Sequence, residues 1–284
     1  MATSRSKQGI GEAAQRDIEV LLAHRHDNGG DHWAGKDGRW GVGAPFSTID
    51  CGLMLAELRI ARPHPLAEAI ADLVLACRTE DGRIRPGPHL AVQPCHTANA
   101  ARLLCRLGYA DDPRLIPVFE HLITARHEDG GWRCSVLKFG AGPDTDASNP
   151  GVTLNVLDAM RFRKDMVSNR ELAGAVDTLL AHWSSRRPLG PCRFGIGSRF
   201  MQVEYPMFRY NLFSWVHVLS FYPRARRHPA FKEALGVLRG KLQADQMIIE
   251  HQKPGLKSLE AFRPGLPSTL ATARYAELLG NVRS

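Results

Sequence analysis

Helical segments of two alternating kinds recur along this sequence, and their recurrence limits the possible folds more than any other feature. One kind begins with small or polar residues and then turns apolar, as in STIDCGLMLAEL (47–58) and PCHTANAARLLCRLG (94–108). The other kind is amphipathic, as in HPLAEAIADLVLACR (64–78). Residues that cap helix N-termini and residues that interrupt helices predict ten helices in all. They begin near Ala13, Ser47, Pro65, Pro94, Asp112, Ser148, Ser168, Pro206, Pro229 and Pro267.

The first kind of helix returns at irregular intervals of about 50 residues, between the equivalent positions Thr48, Thr97, Thr153, Asn211 and Thr269. Units that repeat in this way bury their apolar faces only against neighbouring units. No Ser/Gly-rich tract or charge block interrupts the pattern. The sequence therefore predicts an all-α fold in which residues 1–284 form a single domain of five helix pairs.

Composition narrows the class of protein further. The chain carries 37 Lys+Arg against 29 Asp+Glu, a net charge of +8, but the basic residues are scattered, which argues against nucleic-acid binding. No run reaches the ~18 apolar residues that a membrane-spanning helix needs. The first twenty residues contain no apolar block or cleavage site, and the six cysteines have no paired spacing. We expect a cytoplasmic protein with free thiols.

Three loops carry the same short turn. They read KDGRW (36–40), EDGRI (80–84) and EDGGW (128–132), and the last two follow amphipathic helices. An Asp-Gly pair suits a tight turn because glycine accepts positive φ, and the tryptophan can then lie back over the preceding helix end. We interpret these turns as structural elements of the repeat.

The EDGGW turn, followed by a helix that opens with small polar residues, resembles the repeat of the prenyltransferase and squalene–hopene cyclase family. The resemblance is strong over residues 30–165 and weak beyond them. It implies an α/α toroid of about five to six helical hairpins, with inner and outer helices around an apolar central cavity. It also implies an isoprenoid ligand, either a diphosphate or a polyene. The ten predicted helices give five hairpins.

The segment Asp144-Thr145-Asp146-Ala147-Ser148 resembles the Asp-x-Asp-Asp-Thr acid motif of squalene–hopene-type cyclases. The resemblance implies that Asp146 is the catalytic general acid and Asp144 its hydrogen-bonding partner. Ala147 and Ser148 depart from the motif, and the loss of a carboxylate weakens the arrangement that keeps an acid neutral. The alternative interpretation is an Asp-rich N-cap for the following helix.

The zinc site of the protein prenyltransferases does not carry over, because residues 203–215 and 263–275 contain neither Cys nor His. A different metal site is predicted from Cys95, His96 and Cys134, with Cys51 or Asp50 one unit earlier. Zinc and magnesium both stay open as cofactors. The alternative is that these thiols are small apolar groups within a packed core.

Further residues are predicted to bind substrate. Lys253, Lys257 and Arg263 cluster in the loop before the last helix, where they could hold a diphosphate. Tyr210 and Trp215 belong to an aromatic set that also contains Phe208 and Phe213, and such rings can stabilise a carbocation. Solvated loops and core packing are the alternatives for these two groups. The remaining candidates are expected at the cavity mouth, near inner-helix starts: Asp50, His96 and Asn149.

The predicted function is therefore that of a prenyltransferase- or terpene-cyclase-like protein, which binds or transforms an isoprenoid in a central cavity. A second hypothesis is a non-catalytic helical-repeat scaffold that binds a protein partner; the departures from the acid motif and from the zinc site favour it. A third is a sugar-processing α/α barrel, which would use Asp50 and Asp146 as its paired carboxylates.

Overall fold

The structure is a computed structural model that describes residues 11–134 and 144–283. In this part of the chain it contains twelve α-helices and one antiparallel pair of two-residue strands, β1 (Leu242–Gln243) and β2 (Gln246–Met247). The prediction of a helical fold is confirmed. The helices are α1 (Glu12–Ala23), α2 (Thr48–Glu57), α3 (Pro65–Leu75), α4 (Pro94–Leu104), α5 (Ile116–Thr124), α6 (Pro150–Met160), α7 (Lys164–Val167), α8 (Ala173–Ser185), α9 (Leu212–Leu219), α10 (Pro223–Arg227), α11 (Pro229–Arg239) and α12 (Thr269–Arg283).

Five helices, α2, α4, α6, α9 and α12, form a consecutive series that we call the central helices. Helix α4 packs against α2 and α6, helix α6 against α9, and α9 against α12. The peripheral helices α3, α5, α8 and α11 each pack on the central helix that precedes them in the chain. The alternation of two helix kinds in the sequence thus corresponds to alternation between central and peripheral positions. Within residues 11–134 and 144–283, every helix is too short or too polar to traverse a lipid bilayer.

Local capping fixes where the central helices begin. The Ser47 side chain accepts a hydrogen bond from the Asp50 N–H, and the Asn149 side chain accepts from the N–H groups of Gly151 and Val152. Asn149 is therefore the N-cap of α6, and the predicted cap from Asp144 and Asp146 is not formed.

The helix predicted from Pro206 begins only at Leu212. Asn211 and Ser214 form a capping box there, which sets the start of α9. The residues ahead of it pair with a distant segment instead, because the N–H of Glu250 donates to the carbonyl of Val203 at 2.8 Å. This long-range pairing overrides the local helical pattern.

The Asp-Gly turns connect one unit to the next. Gly82 and Gly130 have φ of +82° and +92°, as the sequence pattern requires. A Cβ on Gly82 would lie 2.0 Å from the carbonyl oxygen of Pro117 in α5, and one on Gly130 would lie 2.6 Å from the Cα of Gly174 in α8. Each turn therefore packs directly against the start of the next peripheral helix, where a larger residue has no room.

The prediction that the tryptophan after an Asp-Gly turn lies back over the preceding helix end is confirmed for Trp132 and is wrong for Trp40. The indole of Trp132 donates to the carbonyl of Leu122 in α5 at 2.7 Å. Trp33, which lies just ahead of the KDGRW turn, donates in the same way to Leu21 of α1 at 2.8 Å. Trp40 differs, because its indole donates forward to the carbonyl of Arg85 at 2.7 Å.

Asp158 on α6 is the centre of a buried ion-pair network near the C-terminal ends of the central helices. Its carboxylate accepts hydrogen bonds from Arg102 at 2.6 Å, Arg106 at 2.8 Å and Arg161 at 2.7 Å. All four side chains are buried. Burial alone would favour the neutral acid, but the three guanidinium groups outweigh it and hold the pKa of Asp158 well below its usual value.

Glu57 joins the first central helix to the last within the same network. Its carboxylate accepts from Arg106 at 2.6 Å, from Arg274 of α12 at 2.7 Å and from the Tyr205 hydroxyl at 2.5 Å. Burial would raise the pKa of Glu57, yet the net shift is downward because Arg274 and Arg106 stabilise the ionised form. Helices α2 and α12, which are far apart in the sequence, are thus linked by one carboxylate whose two oxygens both accept hydrogen bonds.

His217 of α9 completes the network. Its Nε2 lies 2.9 Å from Oε2 of Glu277 on α12, and its side chain is fully buried. Burial lowers the pKa of His217 to about 4, so that the imidazole is neutral at pH 7 and its Nε2–H donates to the carboxylate.

We expect Asp158→Asn to lower the free energy of unfolding by roughly 3–5 kcal/mol, because it leaves buried guanidinium groups without their counter-charge. Chemical denaturation at pH 7 measures this loss. Asp177→Asn is the matched control, since Asp177 pairs with Arg224 at 2.6 Å on the exposed surface and its removal should leave the midpoint unchanged within error. Equal effects of the two substitutions would contradict the role of the network.

We also expect the free energy of unfolding to fall as pH is lowered from about 6.5 to 4. In this window the unfolded chain protonates His217 while the folded chain does not, which costs up to about 1.4 kcal/mol per pH unit. Other buried histidines add to the slope, so the measurement compares wild type with His217→Gln by denaturation at each pH. The variant should show the shallower slope; parallel curves would contradict this assignment.

Candidate functional site

The middle turns of two central helices carry partly buried side chains, in contrast to the fully buried network near the C-terminal ends. Asn99 of α4 and Asn155 of α6 are only partly buried, and the Asn155 amide donates to the Asn99 side chain at 2.7 Å. Three residues further along each helix, Arg102 and Asp158 are buried in the network. We interpret this partial exposure in the middle of the central helices as one wall of a concave region that opens towards their N-terminal ends.

We call this region the central concavity and define it by five partly buried side chains: Ile49, Cys95, Asn99, Asn155 and Phe208. Ile49 is eight residues from Glu57 on α2 and so lies on the same helix face as the network. Asn99 and Asn155 are each the sixth residue of their helices. The concavity therefore reaches about 8 Å along the helix axes, and the Asp158 network forms its floor.

One wall of the concavity is a buried ion pair between two residues that the sequence placed in separate groups. The Lys253 ammonium donates to Oδ1 of Asp50 at 2.7 Å, and Asp50 also accepts from the Ser47 hydroxyl at 3.1 Å. The same ammonium lies 4.4 Å from the centroid of the Phe208 ring. Asp50 and Lys253 are thus brought together beside the concavity, each with a partner.

The structure does not gather the three cations predicted to hold a diphosphate. Lys253 pairs with Asp50, whereas Lys257 is exposed. Arg263 lines a different groove of about 720 Å³, between the starts of α1 and α12, together with Leu58 and Leu266. Proximity along the chain is lost here because the loop before α12 folds across two faces of the protein.

The two predicted aromatic residues occupy different places. Tyr210 is partly exposed, and its hydroxyl lies 2.7 Å from Nδ1 of His182 on α8. Trp215 packs instead between Trp183 and Phe231 of the peripheral helices, with centroid separations of 5.5 and 6.4 Å. Trp215 therefore faces away from the central concavity. Two positions earlier on α9, Phe213 points to the opposite side of the helix.

Asp144 and Asp146 lie on the surface. The Asp146 side chain is 64% exposed and pairs with Arg133 at 2.8 Å, while Asp144 lies 3.5 Å from Arg187. An acid strong enough to protonate an alkene needs a carboxyl that burial keeps neutral. Asp146 is neither buried nor without a partner, so its acid role stays a prediction without geometric support. Pro143, which precedes the pair, lies outside the described residues.

Of the predicted metal-binding residues, Cys95 and Cys134 lie near one another, whereas His96 is engaged elsewhere. His96 accepts a hydrogen bond from the backbone N–H of Gln93 at 3.3 Å as part of the α4 capping box. Cys95 lies close enough to Cys134 for the second thiol to help raise its pKa, to about 11, although burial is the main cause. Among residues 11–134 and 144–283, no group of three or more His, Cys, Asp or Glu side chains is arranged to hold a metal ion.

Sequence reasoning missed Glu204, a buried carboxylate close to the Asp50–Lys253 wall. Its oxygens lie 3.9 Å from Arg209 and 3.8 Å from His251, and within the described residues its Oε1 has no hydrogen-bond partner. Burial raises the pKa of Glu204, against the effect of the nearby cations. The only sequence signal is a lone acidic residue within the apolar stretch MQVEYPMF (201–208).

No known protein family matches the sequence, and no curated protein does either. Solved structures do match. The fold is similar to that of apo MstE, a type II terpene cyclase from Scytonema, with 17% identity over 95% of this chain and 72% of the cyclase and a TM-score of 0.51. A substituted MstE in complex with geranylgeranyl dihydroxybenzoate gives 16% identity, coverages of 95% and 74%, and a TM-score of 0.48.

A polysaccharide lyase also matches, with 13% identity over 98% of this chain and 90% of its own, at a TM-score of 0.44. At these identities the comparisons concern the fold alone, and of these three the match to apo MstE is close enough to carry an argument. This chain has a terpene cyclase-like helical fold.

Proposed function

We propose that this protein binds an isoprenoid ligand, either a diphosphate or a polyene, in the central concavity and acts as a terpene-cyclase-like or prenyltransferase-like protein. The observation that carries the proposal is the pair Asn99 and Asn155, partly exposed above a closed, charged floor within a terpene cyclase-like fold. In this proposal residues 1–284 form one domain, an α/α toroid of five to six hairpins whose central helices are the inner ring.

The side chains around the concavity suit a ligand that is mostly apolar. Ile49 and Phe208 supply apolar surface, and Cys95 behaves as a small apolar group because burial keeps its thiol protonated. The Asn155 amide donates to the Asn99 side-chain oxygen, so one donor and one acceptor of the pair are already used and few polar groups of the pair are left to face an apolar chain. Binding sites for small molecules share this pattern of apolar walls with few polar groups.

Two carboxyl groups compete for the role of general acid in a cyclisation. Asp146 matches the family motif but is exposed and paired with Arg133. Glu204 does not match the motif, but it is buried, and its raised pKa favours the protonated form that an acid needs. It also lies close enough to Lys253 and Asp50 of the wall to sense their charges. The environment of Glu204 therefore supports the acid role better than that of Asp146.

One observation favours the alternative, a non-catalytic scaffold with a protein partner. Part of the interior is filled by the chain itself, since Arg102 donates to the carbonyls of Met207 and Phe208 and Tyr205 donates to Glu57. On the outer surface, a groove of about 880 Å³ between α5 and α7 contains Ile116, which is 49% exposed. Exposed apolar grooves of this kind are typical of protein-binding surfaces.

We expect Asn99→Trp to weaken binding of geranylgeranyl diphosphate at least about tenfold, because the indole would fill the concavity midway along α4. Native mass spectrometry and titration calorimetry measure the binding, with squalene as the uncharged polyene probe. Lys232→Trp, which places the same side chain on the exposed face of α11, is the control and should bind like wild type. Binding that is unchanged in Asn99→Trp would place the ligand elsewhere, and absence of binding by wild type would favour the scaffold.

We expect Glu204→Gln to abolish turnover of a polyene substrate while Asp146→Asn retains it, because burial raises the pKa of Glu204, whereas Asp146 lies exposed beside Arg133. Product formation from squalene or geranylgeranyl diphosphate, followed by gas chromatography, gives the comparison once a substrate is found by binding. Glutamine keeps the size and the hydrogen-bonding capacity of Glu204 but has no acidic proton. The reverse result would assign the acid to Asp146, as the motif implies.

A further inference from the structure

Two cysteines, which no sequence motif connects, lie close together beside the start of α6. Cys134 follows the EDGGW turn, and Cys192 lies in the connection between α8 and α9. The Cys192 thiol lies close enough to the Cys134 thiol and to the Asn149 side chain for both to influence its pKa, which burial raises. Cys134 is buried and Cys192 is exposed. One sulfur atom of the pair is therefore open to solvent, and the other lies against it.

The backbone, and not only the side chains, holds the two cysteines together. The N–H of Asn149 donates to the carbonyl of Trp132, two residues before Cys134, at 2.8 Å. On the other segment, Gly190 lies two residues before Cys192, and a Cβ there would stand 2.9 Å from the Cα of Asn149. Both segments are thus fixed against the same residue, the N-cap of α6.

A further contact anchors the segment that carries Cys192. The N–H of Gly190 donates to the carbonyl of Asp144 at 2.8 Å, and its φ of +72° is a conformation that glycine adopts without strain. Leu189 and Phe194 bond each other on either side of Cys192, with N···O distances of 2.8 and 3.0 Å. Cys192 therefore sits in a short, doubly hydrogen-bonded loop whose position relative to Cys134 is set by the fold.

We propose that Cys134 and Cys192 form a reversible dithiol–disulfide site that hydrogen peroxide oxidises. In the first step the Cys192 thiolate attacks one peroxide oxygen; an S–O bond forms, the O–O bond breaks, and the hydroxide that leaves takes up the thiol proton as water. In the second step the Cys134 sulfur attacks the sulfenic sulfur; an S–S bond forms, the S–O bond breaks, and the second water leaves. The two thiols together lose two electrons and two protons, which the peroxide accepts.

The other cysteines are poor competitors for this reaction. Cys51, Cys77 and Cys105 are buried, and no contact joins them to the pair among the residues that the structure describes. Cys95 is partly buried beside Cys134, with a thiol pKa raised to about 11 mainly by burial, so it stays protonated at neutral pH. Burial raises the pKa of Cys192 as well, so exposure and not acidity distinguishes it: Cys192 is the one exposed cysteine within residues 11–134 and 144–283 and is the first to meet peroxide.

The bond would tie the connection between α8 and α9 to the EDGGW segment. That connection carries Tyr210 and Phe208, and Phe208 borders the central concavity. Oxidation would therefore restrict the segment that a ligand has to pass. This consequence for ligand access rests on the proposed function, whereas formation of the bond does not.

The test is to treat the purified full chain with hydrogen peroxide at pH 8.5, where more of each thiol is ionised, and to block the remaining thiols with N-ethylmaleimide. We expect a mass lower by two hydrogens before blocking, a Cys134–Cys192 linked peptide in a non-reducing map, and recovery with dithiothreitol. Cys192→Ser should give no linked peptide. Cys95→Ser, a matched change at the neighbouring thiol, should give the same linkage as wild type.

Linkage through Cys95 in place of either partner would overturn the proposal, as would conversion of Cys192 to a sulfinic acid with Cys134 left as a free thiol. Binding of geranylgeranyl diphosphate is then compared between the reduced and the oxidised protein. Linkage without any ligand binding in either form would remove the proposed function and leave the disulfide site standing. Ligand binding without formation of the Cys134–Cys192 disulfide would overturn the disulfide site and leave the proposed function standing.

Discussion

The rest of the structure depends on the buried carboxylate of Asp158 and on the three guanidinium groups that surround it. A charge removed from water without partners costs several kcal/mol, so α4 and α6 must hold the register that brings Arg102, Arg106 and Arg161 onto one carboxylate. Glu57 extends the same requirement to α2 and α12. These ion pairs fix how far each central helix is shifted along its axis. They also close one end of the interior, which is why the partly exposed residues above them form a concavity with a floor.

Helix boundaries were accessible from the sequence where local contacts set them. Ser47 caps α2 and Asn149 caps α6 through hydrogen bonds to residues within three positions, and such signals are contained in a short stretch of chain. The Asp-Gly turns were predictable for the same reason. The sequence pattern predicts that residues 206–211 belong to a helix. In the structure Val203 instead pairs with Glu250, 47 positions further along the chain, and no feature of residues 206–211 indicates this pairing.

The candidate site could be predicted only in part, because the tertiary packing, and not the residue type, decides whether a side chain is buried. Asp50 was expected near the ligand and Lys253 in a separate cluster, yet they form one ion pair across 203 positions. Asp146 matches a motif whose chemistry needs a buried carboxyl, and here the loop is exposed. Glu204 matches no motif, yet the fold buries it. Motifs identify the type of side chain, while the packing decides its protonation state.

The floor of the concavity carries unequal charge. Four guanidinium groups, those of Arg102, Arg106, Arg161 and Arg274, meet three carboxylates, those of Glu57, Asp158 and Glu277, and His217 is neutral. One positive charge is left over in surroundings of low dielectric constant, where its field reaches far. A molecule in the concavity would therefore experience a polarised space, in which negative charge is favoured next to the floor.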